Sequence, residues 1–166
     1  MIEIERKFLV KNTAWGTPAS THRIEQGYMF LGEDRNMRIR RSDEIYSTAL
    51  KISIDPLTRY EFESEIEPAQ GRVMLAELCV SRPVKKTRYL ISHHAMMWEV
   101  DVFDGSNAGL IVAEIEIPSA DKSFDTPPWV GPEVSADKRF ANAALSQTPF
   151  CDWGLTYQEL VSQITA

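Results

Sequence analysis

A chain of 166 residues with 43% hydrophobic side chains is long enough for one domain with a real core, so neither disorder nor a disulfide-stapled mini-fold is expected. The net charge of −6 argues against a general nucleic-acid or anionic-membrane surface, while leaving room for a locally basic cleft. Cys79 and Cys151 lie far apart without the flanking ligands of a zinc site, charges at positions 3, 5, 6 and 7 exclude a secretory signal, and no apolar run reaches membrane length, so a cytoplasmic protein is expected.

The first element, MIEIERKFLV (1–10), alternates with a period of two: Glu3, Glu5 and Lys7 share one side and Ile2, Ile4, Phe8 and Val10 the other, which predicts a strand. After a polar link with Gly16 and Pro18 come strands HRIEQGYMFL, MRIRRS, YSTALKISI and RYEFESEIE, separated by the turns GEDRN and DPLT. Following Pro68, QGRVMLAELCV reads as a helix with Val73, Met74, Leu75 and Leu78 as its apolar group. A second meander follows, KKTRYLI, WEVDVF and GLIVAEIEI, for a total of about eight mostly antiparallel strands. The tail reads as helical. SADKRFANAAL starts at a Ser135 cap, and Thr156 to Glu159 is a capping box opening the last helix.

The alternation of the first strand recurs in all the others. One face carries Arg38, Arg40, Lys51, Arg59, Glu61, Glu63, Glu65, Lys86, Arg88, Glu99, Asp101, Glu114 and Glu116; the opposite face is apolar. Small barrels are usually filled with apolar side chains, whereas here helices are available to cover an apolar outer wall; if the sheet closes, the barrel is inverted and the charges line an internal channel. Buried charges are costly unless they pair with each other or with a charged ligand and metal ions. Arginine grips phosphate oxygens with two parallel bonds, and carboxylate pairs without His or Cys suit Mg²⁺ or Mn²⁺. A polyphosphate ligand follows from the two together.

Several other features carry a plainer meaning. His93 and His94 are expected on an exposed loop rather than at a metal, and Trp15, Trp98, Trp129 and Trp153 in hydrophobic packing rather than on a base-stacking platform. Of the adjacent pair, Arg40 should point in and Arg41 out.

The ordered set of charged pairs, ExExK from Glu3 to Lys7, RxR at Arg38 and Arg40, Lys51, RxExE from Arg59 to Glu63, KxR at Lys86 and Arg88, and ExE at Glu114 and Glu116, resembles the CYTH superfamily, the triphosphate tunnel metalloenzymes. The resemblance implies an α+β fold in a single domain over 1–166: an eight-stranded antiparallel closed β-barrel, or tunnel, with a charged interior and helices packed outside. It implies metal-dependent hydrolysis of a triphosphate, foremost inorganic tripolyphosphate, with a class IV adenylate cyclase making cyclic AMP from ATP, or a thiamine triphosphatase, as alternatives.

Carried over residue by residue, the resemblance makes Lys7, Arg38, Arg40, Lys51, Arg59, Lys86, Arg88 and Arg139 the phosphate-binding set, Arg139 reaching the tunnel from the late basic segment. Glu3, Glu5, Glu114 and Glu116 become the principal metal group, supported by Glu61, Glu63 and Asp101. The catalytic candidates are Lys51 with Tyr28, or Glu63 acting through a metal. Ala143 and Ala144 stand where relatives often have Ser or Asn, which leaves that helix without an evident polar contact. The expected partner is a small-molecule triphosphate, with no nucleic acid or membrane, and the chain is expected as a monomer or homodimer.

Overall fold

A computed structural model describes residues 1–165. Nine strands form one antiparallel sheet: β1 (Ile2–Val10), β2 (Ser20–Leu31), β3 (Arg35–Ser42), β4 (Ile45–Ser53), β5 (Thr58–Ile66), β6 (Val84–His93), β7 (Met96–Asp104), β8 (Ile111–Glu116) and β9 (Val130–Glu133). Their order is β5-β4-β3-β2-β6-β7-β8-β1-β9, and a further pairing of β5 with β1 closes the first eight into a barrel. β1 makes the closure because it is shared along its length. Ile2–Ile4 pair with β5, Glu5–Leu9 with β8 on the other edge, and Phe8 and Val10 with β9.

Side chains of directly opposed residues lie on the same side of a sheet, so the register fixes the interior. Arg38 faces Tyr28 and Ala49, Lys51 faces Glu61, Arg88 faces Asp101, and Lys7 faces Glu114. The charged face is therefore the inner one, as the alternation predicts. Toward one end the inward positions of β1, β6, β7 and β8 turn apolar. There Leu9, Val84, Phe103 and Val112 pack with Phe140, Leu145 and Leu160 of the C-terminal segment.

The outer wall is covered unevenly. Over β1, β6, β7 and β8 the cover comes from β9 and two loops, whose Trp15, Phe124 and Trp129 pack with Trp98 in an aromatic cluster. That corrects the expectation that helices cover the wall, and it places three tryptophans in packing as predicted. The fourth, Trp153, packs edge-on against Phe140 and Phe150. Over β3 and β4 the cover is α1 (Pro68–Val73), which runs on into a π-helical segment, Met74–Leu78. It starts two residues earlier than expected and sits hard on the sheet: a Cβ at Gly71 would lie 2.4 Å from the Tyr46 ring, and one at Gly27 would lie 2.6 Å from Cys79 Sγ. Glycine at both positions allows the close approach.

The tail differs most from expectation. β9 was not foreseen, because Gly131 and Pro132 are poor strand formers; Gly131 is needed there, since a Cβ would lie 2.8 Å from the Leu9 carbonyl oxygen. Residues 135–145 form a 3₁₀ turn, Lys138–Phe140, and a short α2 (Asn142–Gln147) instead of one helix. The cap of the turn is Asp137, which accepts from the Arg139 N–H; Ser135 instead accepts from the Lys7 N–H at 2.9 Å and donates to Glu133. The box before α3 (Tyr157–Thr165) forms as predicted, Thr156 N–H donating to Glu159 at 2.7 Å and Glu159 N–H to the Thr156 hydroxyl at 3.3 Å. No helix among the described residues is long and apolar enough to cross a membrane.

Candidate active site

Two linked groups of charges fill the barrel. In the first, Asp101, completely buried, accepts from Arg88 through both oxygens at 2.7 Å and pairs with the equally buried Lys86. Arg88 also donates to Glu114 at 2.9 Å and pairs with Glu99, while Lys7 bridges Glu114 and Glu5. In the second group Arg59 donates to Glu3 at 2.8 Å, Glu5 at 2.9 Å and Glu61 at 3.1 Å, and Lys51 pairs with Glu61. Arg38 donates to Glu63 at 2.8 Å and Glu61 at 3.3 Å, and Ser47 donates to Glu63 at 2.6 Å. Glu5, bound by both Lys7 and Arg59, joins the two groups.

Burial and charge together shift several of these groups. Burial, then repulsion from Arg38 and Arg59, pushes the Lys51 ammonium down to about 7. Lys86 is pushed down to about 8, mainly by burial. Glu3 is pushed up to about 7 by burial and by its hydrogen bond with Glu61. Burial also raises the Tyr28 phenol, which accepts from Gln26 at 3.1 Å.

Arg40 stands apart from all of these. It faces Gln26 and Ser47 across the sheet, forms no ion pair among the described residues, and its Nε is out of water without a hydrogen-bond partner. Burial, with Arg38 and Arg88 nearby, pushes its guanidinium down to about 10. It is a cation aimed into the channel with no counter-charge of its own.

A CYTH domain model matches residues 1–148. The chain is 35% identical over 148 residues to an inorganic triphosphatase of Acetivibrio thermocellus, covering 89% of this chain and 95% of that one. It is 38% identical over 150 residues to an inorganic triphosphatase of Nitrosomonas europaea, covering 88% and 97%. The chain belongs to the CYTH family. Among solved structures, the crystal structure of the inorganic triphosphatase NE1496 superposes with a TM-score of 0.65 at 34% identity, over 87% of this chain and 93% of that one. A protein from Pyrococcus horikoshii, PH1012, shares the fold at a TM-score of 0.56 and 22% identity, over 72% of this chain and 80% of that one.

Within this CYTH barrel the structure brings together Lys7, Arg38, Arg40, Lys51, Arg59, Lys86 and Arg88 with Glu3, Glu5, Glu61, Glu63, Asp101 and Glu114. Glu116 is exposed, opposite Glu5 in register. Arg139 is not brought in. Its guanidinium is held by Asp137 at 2.6–3.1 Å and lies 4.9 Å from the Trp153 ring centroid, half-exposed on the surface. The polar contact from that segment comes from Asn142, whose Oδ1 accepts from Lys86 at 3.3 Å. Asn142 was missed, having no strand alternation to mark it; Gln26, fully buried, could have been found from its place two residues before Tyr28. Tyr28 and Lys51 do not form a pair: no hydrogen bond joins them among the described residues, and they are not opposed in register. His93 is the last residue of β6 and His94 lies in the exposed turn that follows. Their rings lie 4.4 Å apart, and His94 meets Asp125 at 3.2 Å.

Among the described residues no three carboxylate, His or Cys groups are gathered into a ready metal cluster, because each inner acid but Glu65 and Glu116, both exposed, turns to a lysine, an arginine or another acid. The donor set nevertheless fits a hard divalent cation. Glu5 opposes Glu116 and Glu99 opposes Glu114 directly across strands, and Glu3 shares Arg59 with Glu61, which helps to raise it. Like charges so placed repel, and a divalent cation would hold them together as a shared proton does.

Proposed function

We propose that this CYTH protein hydrolyses inorganic tripolyphosphate inside the barrel with the help of a divalent cation, Mg²⁺ or Mn²⁺. The observation that carries the reading is Arg40, a guanidinium unpaired among the described residues and facing a channel in which the other cations already have acidic partners. Desolvating a lone cation is costly, and an anionic ligand with several oxygens repays it.

Arg38, Arg40, Arg59, Arg88, Lys7 and Lys86 bind and orient the phosphate chain. Acids and bases in the channel nearly balance, so a polyanion needs added positive charge, which Glu3, Glu5, Glu61, Glu114 and Glu116 would hold as metal ligands. When bound, the cation neutralises charge on the transferring phosphoryl group. Asp101 serves as an anchor for Lys86 and Arg88, since both its oxygens are taken. Lys51 is the group best suited to take a proton from the attacking water, its ammonium being lowered to about 7. Tyr28, its phenol raised, stays protonated and donates a hydrogen bond. Glu63 is occupied by Arg38 and Ser47. The protein acts in the cytoplasm on this reading, in keeping with its free thiols Cys79 and Cys151.

Product analysis with tripolyphosphate and ATP tests the reading. Phosphate release from tripolyphosphate, faster than from ATP and abolished by chelation, is the expected outcome. Cyclic AMP formation with negligible tripolyphosphate cleavage would move the assignment to an adenylate cyclase, and phosphate release undiminished by chelation would remove the metal.

A further inference from the structure

Among the described residues the part of the outer wall formed by β2 to β5 and the start of β1 has no cover beyond α1 and the Met74–Leu78 segment that continues it. Phe30, Met37, Leu50 and Phe62 are direct neighbours in register, an apolar row across four strands. Beside it Ile52, Tyr60 and Ile2 form a second row over β4, β5 and β1. Phe62 is 57% exposed, Ile2 55%, Phe30 49%, Tyr60 43% and Leu50 38%. With the charges turned inward, the period-two alternation leaves β1, β3, β4 and β5 no other place for these apolar side chains, and the register shift between Tyr28 and Phe30 turns Phe30 outward beside them.

We propose that this face pairs with the same face of a second copy of the chain, wall against wall about a twofold axis. The area supports that occupant. At about 150–250 Å² for a complete side chain, the exposed fractions amount to roughly 500 Å² of contiguous apolar surface per copy. That lies in the upper half of what a monomer shows, about 300–600 Å². Two such faces bury roughly 1,000 Å² in total, the least that a specific interface clears. A twofold pairing is self-complementary by construction, and the seven positions carry no charge; Arg35, opposed to Ile52 at the patch edge, is already neutralised by Asp34, so chains of the same net charge of −6 meet without an unpaired charge in the patch. The same neutrality offers nothing to a charged peptide. Twisted sheets stack well face to face, about 10 Å apart. Every residue in the patch points away from the channel, so the pairing leaves the inner charges untouched.

Sedimentation equilibrium of the wild type and of Phe62→Glu tests the proposal, with circular dichroism to confirm that the variant is folded. The wild type should sediment at twice 18.9 kDa and Phe62→Glu at 18.9 kDa. Leu50→Ser is the milder second variant and should raise the dimer dissociation constant by about tenfold or more, whether or not Phe62→Glu stays soluble. A wild type that remains at 18.9 kDa at every concentration overturns the proposal, including one that instead floats with neutral lipid vesicles. So does a dimer unaffected by either substitution.

Discussion

Arg40→Ala should weaken tripolyphosphate binding or turnover by about 10- to 150-fold while leaving thermal stability unchanged or slightly higher. A charge-assisted bond to phosphate is worth roughly 1.5–3 kcal/mol, which sets the first figure. The second follows because Arg40 has no ion pair to lose: its guanidinium is lowered to about 10 by burial and by Arg38 and Arg88, so the free protein carries it at a cost. Arg41→Ala is the control. Its side chain lies on the outer face, donating to the Asp43 carbonyl at 2.6 Å and to Glu44 at 2.8 Å, so activity should change by less than about threefold. Steady-state kinetics and thermal unfolding of both variants give the comparison. A crippled Arg41→Ala beside a near-normal Arg40→Ala would mean that the inner face of β3 is wrongly assigned.

Asp101→Asn should give the largest loss of stability, about 3–5 kcal/mol, because it leaves Lys86 and Arg88 buried without their shared counter-charge. For a chain of this size that lowers the melting temperature by roughly 6–20 °C. The loss should depend on pH in a definite direction. Burial pulls the Asp101 carboxyl up, but Arg88 and Lys86 outweigh it and hold the group well below the usual aspartate range. A carboxyl depressed in the folded state contributes fully above its unfolded value, about 3.9, and loses that contribution as pH falls toward the folded value. The gap between wild type and variant should therefore be widest near neutrality and narrow below about pH 4. Melting curves across that range are the check, and a gap that stays constant into acid would show that Asp101 is not the charge anchor.

The barrel's inner face was legible because strands have a period of two and this sequence keeps its charges in phase over seven of the eight barrel strands, β2 contributing Gln26 and Tyr28 instead. Arg40 and Arg41, adjacent in the chain, separate to the channel and the surface as the pleat requires. What the alternation could not show is closure, since β1 pairs with β5 through only Ile2–Ile4, a contact between distant segments with no local signature. β9 was hidden for a different reason: Gly131 and Pro132 fit the β1 edge for steric reasons that only the neighbouring backbone reveals. Arg139 was misplaced because a 3₁₀ turn has no long period to orient it, and Asp137, two residues earlier, captures its guanidinium locally. The outward apolar row on β3 to β5 was visible as alternation, while Phe30 of β2 joins it only through the register shift after Tyr28, and whether helices cover the row is a matter of tertiary packing.

A crystal structure of the protein with tripolyphosphate and Mg²⁺ tests the central claim most directly. The phosphate chain should lie inside the barrel, with its oxygens in hydrogen-bonding distance of the Arg40 guanidinium. A triphosphate bound on the outer wall, or one inside that leaves Arg40 without a contact, would contradict the account.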